Sequence, residues 1–250
     1  MMDGQSQGTV SVDYGATLPA ISAPSKEGYT FAGYYTQESG QGDQYYNAEG
    51  KGKAWYLTPD SKKATLYAYM TPNTYFITFD ANGGTGSMAV QDFTYGTEGK
   101  QLTHVGFTKL YTVKFDTDGG STQADITADV TFGGWEYTID NVTKTVDDKA
   151  AIEGELLTDL VKAGTLALKA KWTGSPTITL PTTPTKEGCT FDKWSDGVNT
   201  YDAGASYIVT GDITLTALWT GNTYSVIFNG NGNTDEKQAY KQTDIPYNVP

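Results

Sequence analysis

TLALKAKWT, residues 165–173, has two near copies in the chain: ATLYAYMT at 64–71 and ITLTALWT at 213–220. Apolar residues alternate along each, as Leu166, Leu168, Ala170 and Trp172, as Leu215, Ala217 and Trp219, and as Leu66 and Ala68. A period of two puts every second side chain on one face, so each copy reads as a half-buried strand that closes a module. A chain that repeats its endings is an array of similar units, and its function is sought in the array before any single active site.

Outward from these endings, YFITFDANGG (75–84), YTVKFDTDGG (111–120) and YSVIFNGNGN (224–233) superimpose without a gap. Tyr75, Ile77 and Phe79 alternate, as do Tyr111, Val113 and Phe115, and Tyr224, Val226 and Phe228. Each run predicts an opening strand. Asn82-Gly83 and Asp118-Gly119 then supply the positive backbone angles of a two-residue hairpin turn. The middle of a unit is KEGYTFAGYY (26–35), repeated as KEGCTFDKW (186–194) and, worn, as TFGGWEY (131–137). TVSVDYGATLP (9–19) resembles VQDFTYGTEG (90–99), and a Leu-Pro step recurs at Leu18-Pro19 and Leu180-Pro181. One stretch departs from strand spacing: Ile152, Leu156, Leu157 and Leu160 recur at helical intervals, predicting a short helix over 153–162 that Gly164 stops.

The fold class expected is therefore mainly β, α+β at most, built of small tandem modules. By motif order, 1–73 is a module without its front strand and 74–110 a front half. Residues 111–173 come nearest to a complete module, 174–221 form a back half, and 222–250 open a further unit. This is the pattern of a segment from a longer array.

The 250 residues carry 17 basic and 29 acidic side chains, a formal charge of −12. That charge repels phosphate backbones and anionic membrane surfaces and disfavours nucleic acid as a partner. A single Cys excludes an intrachain disulfide. No run approaches the roughly twenty apolar residues of a membrane span, so membrane insertion of this segment is not expected. Residues 1–12 lack the charged and apolar regions of a signal peptide. Eighteen Tyr, 29 Gly and only 18% charged residues match the usage of a β-rich extracellular protein.

YTVKFDTDGG, KEGYTFAGYY and TLALKAKWT together resemble the Listeria–Bacteroides repeat, the internalin B-type B repeat of bacterial surface proteins, over nearly the whole chain. The resemblance implies a small β-grasp-like module, found in tandem on secreted or wall-attached proteins and carrying no catalytic residues. It implies an extracellular or cell-surface location, neighbouring repeats as partners, and adhesion to a host or matrix protein or a glycan. No enzyme and no cofactor are expected.

Aromatics at repeat positions are expected to fill module cores: Phe31, Phe79, Phe115, Trp135, Trp172, Phe191, Trp194, Trp219 and Phe228. Those off the repeat, Tyr45, Tyr46, Trp55 and Tyr56 in the Gly-rich insert 38–57, are the candidates for ligand contact. The insert itself reads as a solvent loop. FDTDGG at 115–120 has acid and Gly spacing that suggests calcium, but the twelve-residue loop with its closing Glu is missing and the copies lose the acids, so a turn is the better reading. His104 and Cys189 are the only His and Cys. Cys189 sits in the slot of Tyr29, as a small hydrophobe would. The leading expectation is a non-catalytic stalk or adhesion array; the alternative is a carbohydrate-binding module using the 38–57 aromatics.

Overall fold

The computed structural model describes residues 8–59, 62–97, 99–182, 184–228 and 241–247. In chain order its strands begin with β1 (Tyr29–Tyr35), β2 (Gln44–Tyr46), β3 (Tyr67–Pro72), β4 (Thr74–Asp80), β5 (Gln91–Thr94) and β6 (Leu110–Asp116). Next come β7 (Ile126–Asp129), β8 (Thr131–Ile139), β9 (Val142–Val146), the helix α1 (Gly154–Ala163) and β10 (Thr165–Thr173). The chain continues through β11 (Thr177–Thr179), β12 (Cys189–Ser195), β13 (Thr200–Tyr201), β14 (Ser206–Ile208), β15 (Ile213–Gly221), β16 (Thr223–Ile227) and β17 (Lys241–Pro246). The fold is mainly β, with one short α-helix among the described residues. That helix covers the stretch with 3.6-residue spacing and ends at Gly164, whose φ is 75°.

The chain divides into two compact units. One takes the described residues of 1–80, 88–105 and 135–169; the other those of 81–87, 106–134 and 170–250. The first unit contains a three-stranded sheet, order β2-β1-β3. The two five-stranded sheets have the orders β5-β4-β10-β8-β9 and β13-β12-β15-β6-β7. In both, an opening strand and a closing strand form a central parallel pair. Leu166 stands opposite Ile77 and Leu168 opposite Phe79; Ile213 stands opposite Val113 and Leu215 opposite Phe115. The two closing motifs of the five-stranded sheets bury their alternating face as their period requires, with Leu166, Leu168, Ala170, Leu215 and Ala217 all buried, whereas Leu66 and Ala68 of the third are half-buried.

The pairing crosses the boundaries that motif order suggests. Within 111–173, β6 pairs with β15 and β10 pairs with β4, so that block contributes to both large sheets and its own opening and closing strands do not meet. The physical reason is that β4 and β6 offer the same alternating face. A parallel pair needs a long crossover, so closeness in sequence does not select the partner.

The Asx-Gly turns form as expected, with Asn82 and Asp118 at φ 47° and Gly83 and Gly119 at 80° and 79°. The chain does not return directly along the strand, however. β5 joins β4 only at Gln91, after Thr85 has bridged to Thr108. What holds each turn is a Trp of a closing strand: Trp172 Nε1 donates to Ala81 O at 2.9 Å, and Trp219 Nε1 to Thr117 O at 3.0 Å.

Trp135 and Trp194 are fully buried and Phe31 nearly so; Phe79, Phe115, Trp172, Phe191 and Trp219 are half-buried. Phe79 packs on Trp135 and Phe115 on Trp194, both at 5.0 Å between ring centres. Phe228 departs from the expected core, being 57% exposed just beyond β16, whose partner among the described strands is β17. Two strands offer no second layer to cover it. The rest of its motif, 229–233, lies outside the described residues.

Candidate functional site

The insert 38–57 is built into the first unit and is not a solvent loop. β2 pairs with β1, and the backbone beyond it continues the bonding: Lys53 N donates to Tyr45 O, Leu18 N to Lys53 O and Gly15 N to Trp55 O, at 3.0, 3.1 and 2.7 Å. Tyr45 and Tyr46 are each 4% exposed and form a core with Leu18, against which Tyr34, Trp55 and Leu66 pack. Tyr46 Oη donates to Pro19 O at 3.2 Å, and burial pushes its hydroxyl pKa up, with Tyr34 adding to the shift. The second unit repeats the device, since Trp194 Nε1 donates to Pro181 O at 3.1 Å. The Leu-Pro step thus presents a carbonyl to a core aromatic in both places. Tyr45 and Tyr46 are not available to a ligand; β2 pairs with β1 as β13 pairs with β12, with Tyr46 opposite Tyr34 as Tyr201 is opposite Trp194.

Of the four insert aromatics, Tyr56 is the one at the surface, 60% exposed, while Trp55 is half-buried against Tyr45 at 4.9 Å. Tyr56 meets Tyr14, itself 68% exposed, edge to face at 5.6 Å. This exposed pair is the aromatic surface of the region. Tyr14 was not singled out from sequence, although TVSVDYGATLP aligned with VQDFTYGTEG sets it in the place of Tyr95.

The most perturbed charges cluster at α1. Lys144 Nζ reaches Asp159 Oδ2 at 2.6 Å and Glu155 Oε1 at 2.7 Å, and Tyr137 Oη donates to Asp159 at 3.0 Å. Asp159 is 7% exposed. The Lys144 ammonium lowers the Asp159 carboxyl pKa, and hydrogen bonds to Asp159 and Glu155 raise that of Lys144. Burial, then the bond to Asp159, pushes Tyr137 up to about 12. Every polar tip here is answered by another, so the cluster anchors α1 beside β8 and β9.

The remaining sequence candidates also have structural partners. His104 Nδ1 pairs with Asp148, whose other oxygen accepts from Val105 N at 3.0 Å. Cys189 is half-buried at the start of β12. In the FDTDGG turn, Lys186 Nζ contacts Asp118 O at 2.7 Å and its carboxylate at 3.3 Å, placing an ammonium where a cation would have to sit.

Comparison with known proteins gives one family. The model of the Listeria-Bacteroides repeat domain matches residues 2–69, 75–109 and 161–218. The chain is similar to a protein named as a Gly-rich membrane protein of Evansella cellulosilytica, 28% identical over 86% of this chain and 23% of that one. It is similar to Internalin H of Listeria monocytogenes, 33% identical over 50% of this chain and 21% of the relative. A second Evansella protein, named as a membrane protein, is 24% identical over 91% of this chain and 32% of its own length. The chain thus spans between a fifth and a third of the curated relatives it matches. No solved structure matches it significantly. Among the described residues no helix is long and apolar enough to cross a membrane.

Proposed function

The chain belongs to the Listeria-Bacteroides repeat family, and from that premise we propose that it is a non-catalytic segment of a bacterial surface or secreted protein, a stalk or adhesion array of β-grasp-like modules that displays or contacts a partner. The observation that carries this is the reuse of chemistry. The side chains that recur, the closing-strand Trp, the Asx-Gly turn and the central parallel pair, are spent in both large sheets on the same internal bonds. Repetition of that kind makes modules, and modules in series make length. The relatives named as membrane proteins and as an internalin support the surface location.

Antibody against the chain, applied to intact cells of the source organism, is expected to label them, and brief external protease to remove the label. Signal that appears only after lysis would overturn the display reading. A second reading, glycan contact, has the Tyr14–Tyr56 pair in its favour, because exposed rings can stack on sugar faces. Glycan-array binding that vanishes in a Tyr14→Ala, Tyr56→Ala chain would favour it; binding unchanged by the double substitution removes it.

A further inference from the structure

One joint is built twice in this chain with the same atoms. At Gly28 the Lys-Glu-Gly turn has φ +74°, Asn73 N donates to Gly28 O at 2.8 Å, and Thr30 Oγ1 donates to Asn73 Oδ1 at 2.6 Å. Tyr95 N then donates to Asn73 O at 2.9 Å, and the Tyr95 ring lies so close to Gly28 that a Cβ there would fall inside it. At Gly188 φ is +69°, Asn222 N donates to Gly188 O at 2.8 Å, and Thr190 Oγ1 donates to Asn222 Oδ1 at 2.6 Å. Tyr247 N donates to Asn222 O at 2.9 Å, and the Tyr247 ring lies on Gly188 as Tyr95 does on Gly28. In each case the turn and closing strand of one module receive a Tyr from the hairpin that follows.

A third hairpin exit supplies a contrast. Val130 N donates to Lys109 O at 2.9 Å, the same backbone bond, but Val replaces the Tyr. In both joints a Cβ on the glycine would overlap the Tyr ring, so the glycine is what lets the ring seat.

Tyr14 has the features of the ring half. Its turn has the geometry of the one at Tyr95, with Gly15 and Gly96 both at φ +80°, and Ala16 N donating to Asp13 O as Thr97 N does to Thr94 O, at 3.0 and 3.2 Å. Yet Tyr14 is 68% exposed, with Tyr56 on one edge, and the two glycine turns of this chain are filled by Tyr95 and Tyr247. We propose that Tyr14 is a docking ring for the Lys-Glu-Gly turn of another repeat module of this family, seated as Tyr95 is on Gly28. This adds a partner to the array reading and rests on it only in taking repeats to adjoin one another.

The test is a tandem protein in which residues 1–246 are followed by residues 14–250, so that the second copy's Tyr14 follows Pro246 as Tyr247 does. Tyrosine nitration is followed by mass spectrometry, which distinguishes the two Tyr14 residues by their tryptic peptides. The second-copy Tyr14 is expected to react about fivefold more slowly than the first-copy Tyr14. Gly188→Ala in the first copy should abolish that protection. Equal rates for the two, with Tyr95 slow in both copies, overturn the proposal; fast reaction of Tyr95 as well overturns the Gly28 joint whose geometry Tyr14 would reproduce. Neither result touches surface display, which the cell-labelling experiment decides.

Discussion

The two five-stranded sheets share a parallel centre, an Asx-Gly turn and a clamping Trp, but they cover that centre differently. One has α1, whose Leu156 and Leu160 are buried. The other has no helix among the described residues; it buries Leu180, Tyr207 and Val209, carried by the β11–β14 pair and its flanks. The repeat therefore specifies the strand pair and its clamp, while the cover is any apolar element that reaches the core. This accounts for the variable stretch between the middle and closing motifs.

The largest expected effects test the shared part. Trp135→Ala and Trp194→Ala, both fully buried, should each destabilise their own sheet by about 3–5 kcal/mol in denaturant titrations. A loss far below that in one sheet alone would break the equivalence. Next comes the part that differs: Leu160→Ala and Leu180→Ala, 0% and 1% exposed, should each lose about 2–5 kcal/mol. If the helix substitution is much milder, α1 is an accessory and not a cover.

Gly28→Ala should cost about 1–2 kcal/mol for its left-handed backbone alone, plus displacement of the Tyr95 ring. Gly164→Ala, at φ +75° with open space around it, carries the backbone cost only. Hydrogen exchange at the Asn73 and Tyr95 amides should therefore quicken in the first variant and not in the second.

The smallest effects are in pH dependence, and they have opposite signs in the two sheets. Tyr137 is raised to about 12, so the stability it gives is whole below its ordinary pKa of about 10 and is lost as pH climbs towards 12. Tyr137→Phe should flatten that alkaline limb. Asp196 is held at about 2, first by the Asn199 backbone amide and then by the Tyr201 hydroxyl. Its contribution is whole above about pH 4 and is lost as pH falls through 2, so Asp196→Asn should flatten the acid limb.

The sequence made the strands, turns and helix legible because each leaves a local trace: the alternation in TLALKAKWT, the Asn82-Gly83 pair, the spacing of Leu156 and Leu160 ahead of Gly164. Which opening strand meets which closing strand was not legible, since Ile77 with Phe79 and Val113 with Phe115 present equivalent faces. The insert misled for a related reason. Tyr45 and Tyr46 stand outside every repeated motif, and their burial depends on backbone bonds from Lys53 and Trp55 to residues some forty positions earlier, which no local pattern records.

The crossed pairing also sets an order of events in time. Thr112 N is bonded to Asp212, 100 residues on, and Ala81 O waits for Trp172, 91 residues on. Contacts that distant are reached late, because the loop they close must be given up as entropy before they form. As the chain emerges from a ribosome or a membrane pore, β4 and β6 are made early but cannot acquire their central neighbours until β10 and β15 have followed. Each front strand keeps one open edge while some 91 to 100 further residues are made, so the closing of each sheet is timed by the arrival of its ending.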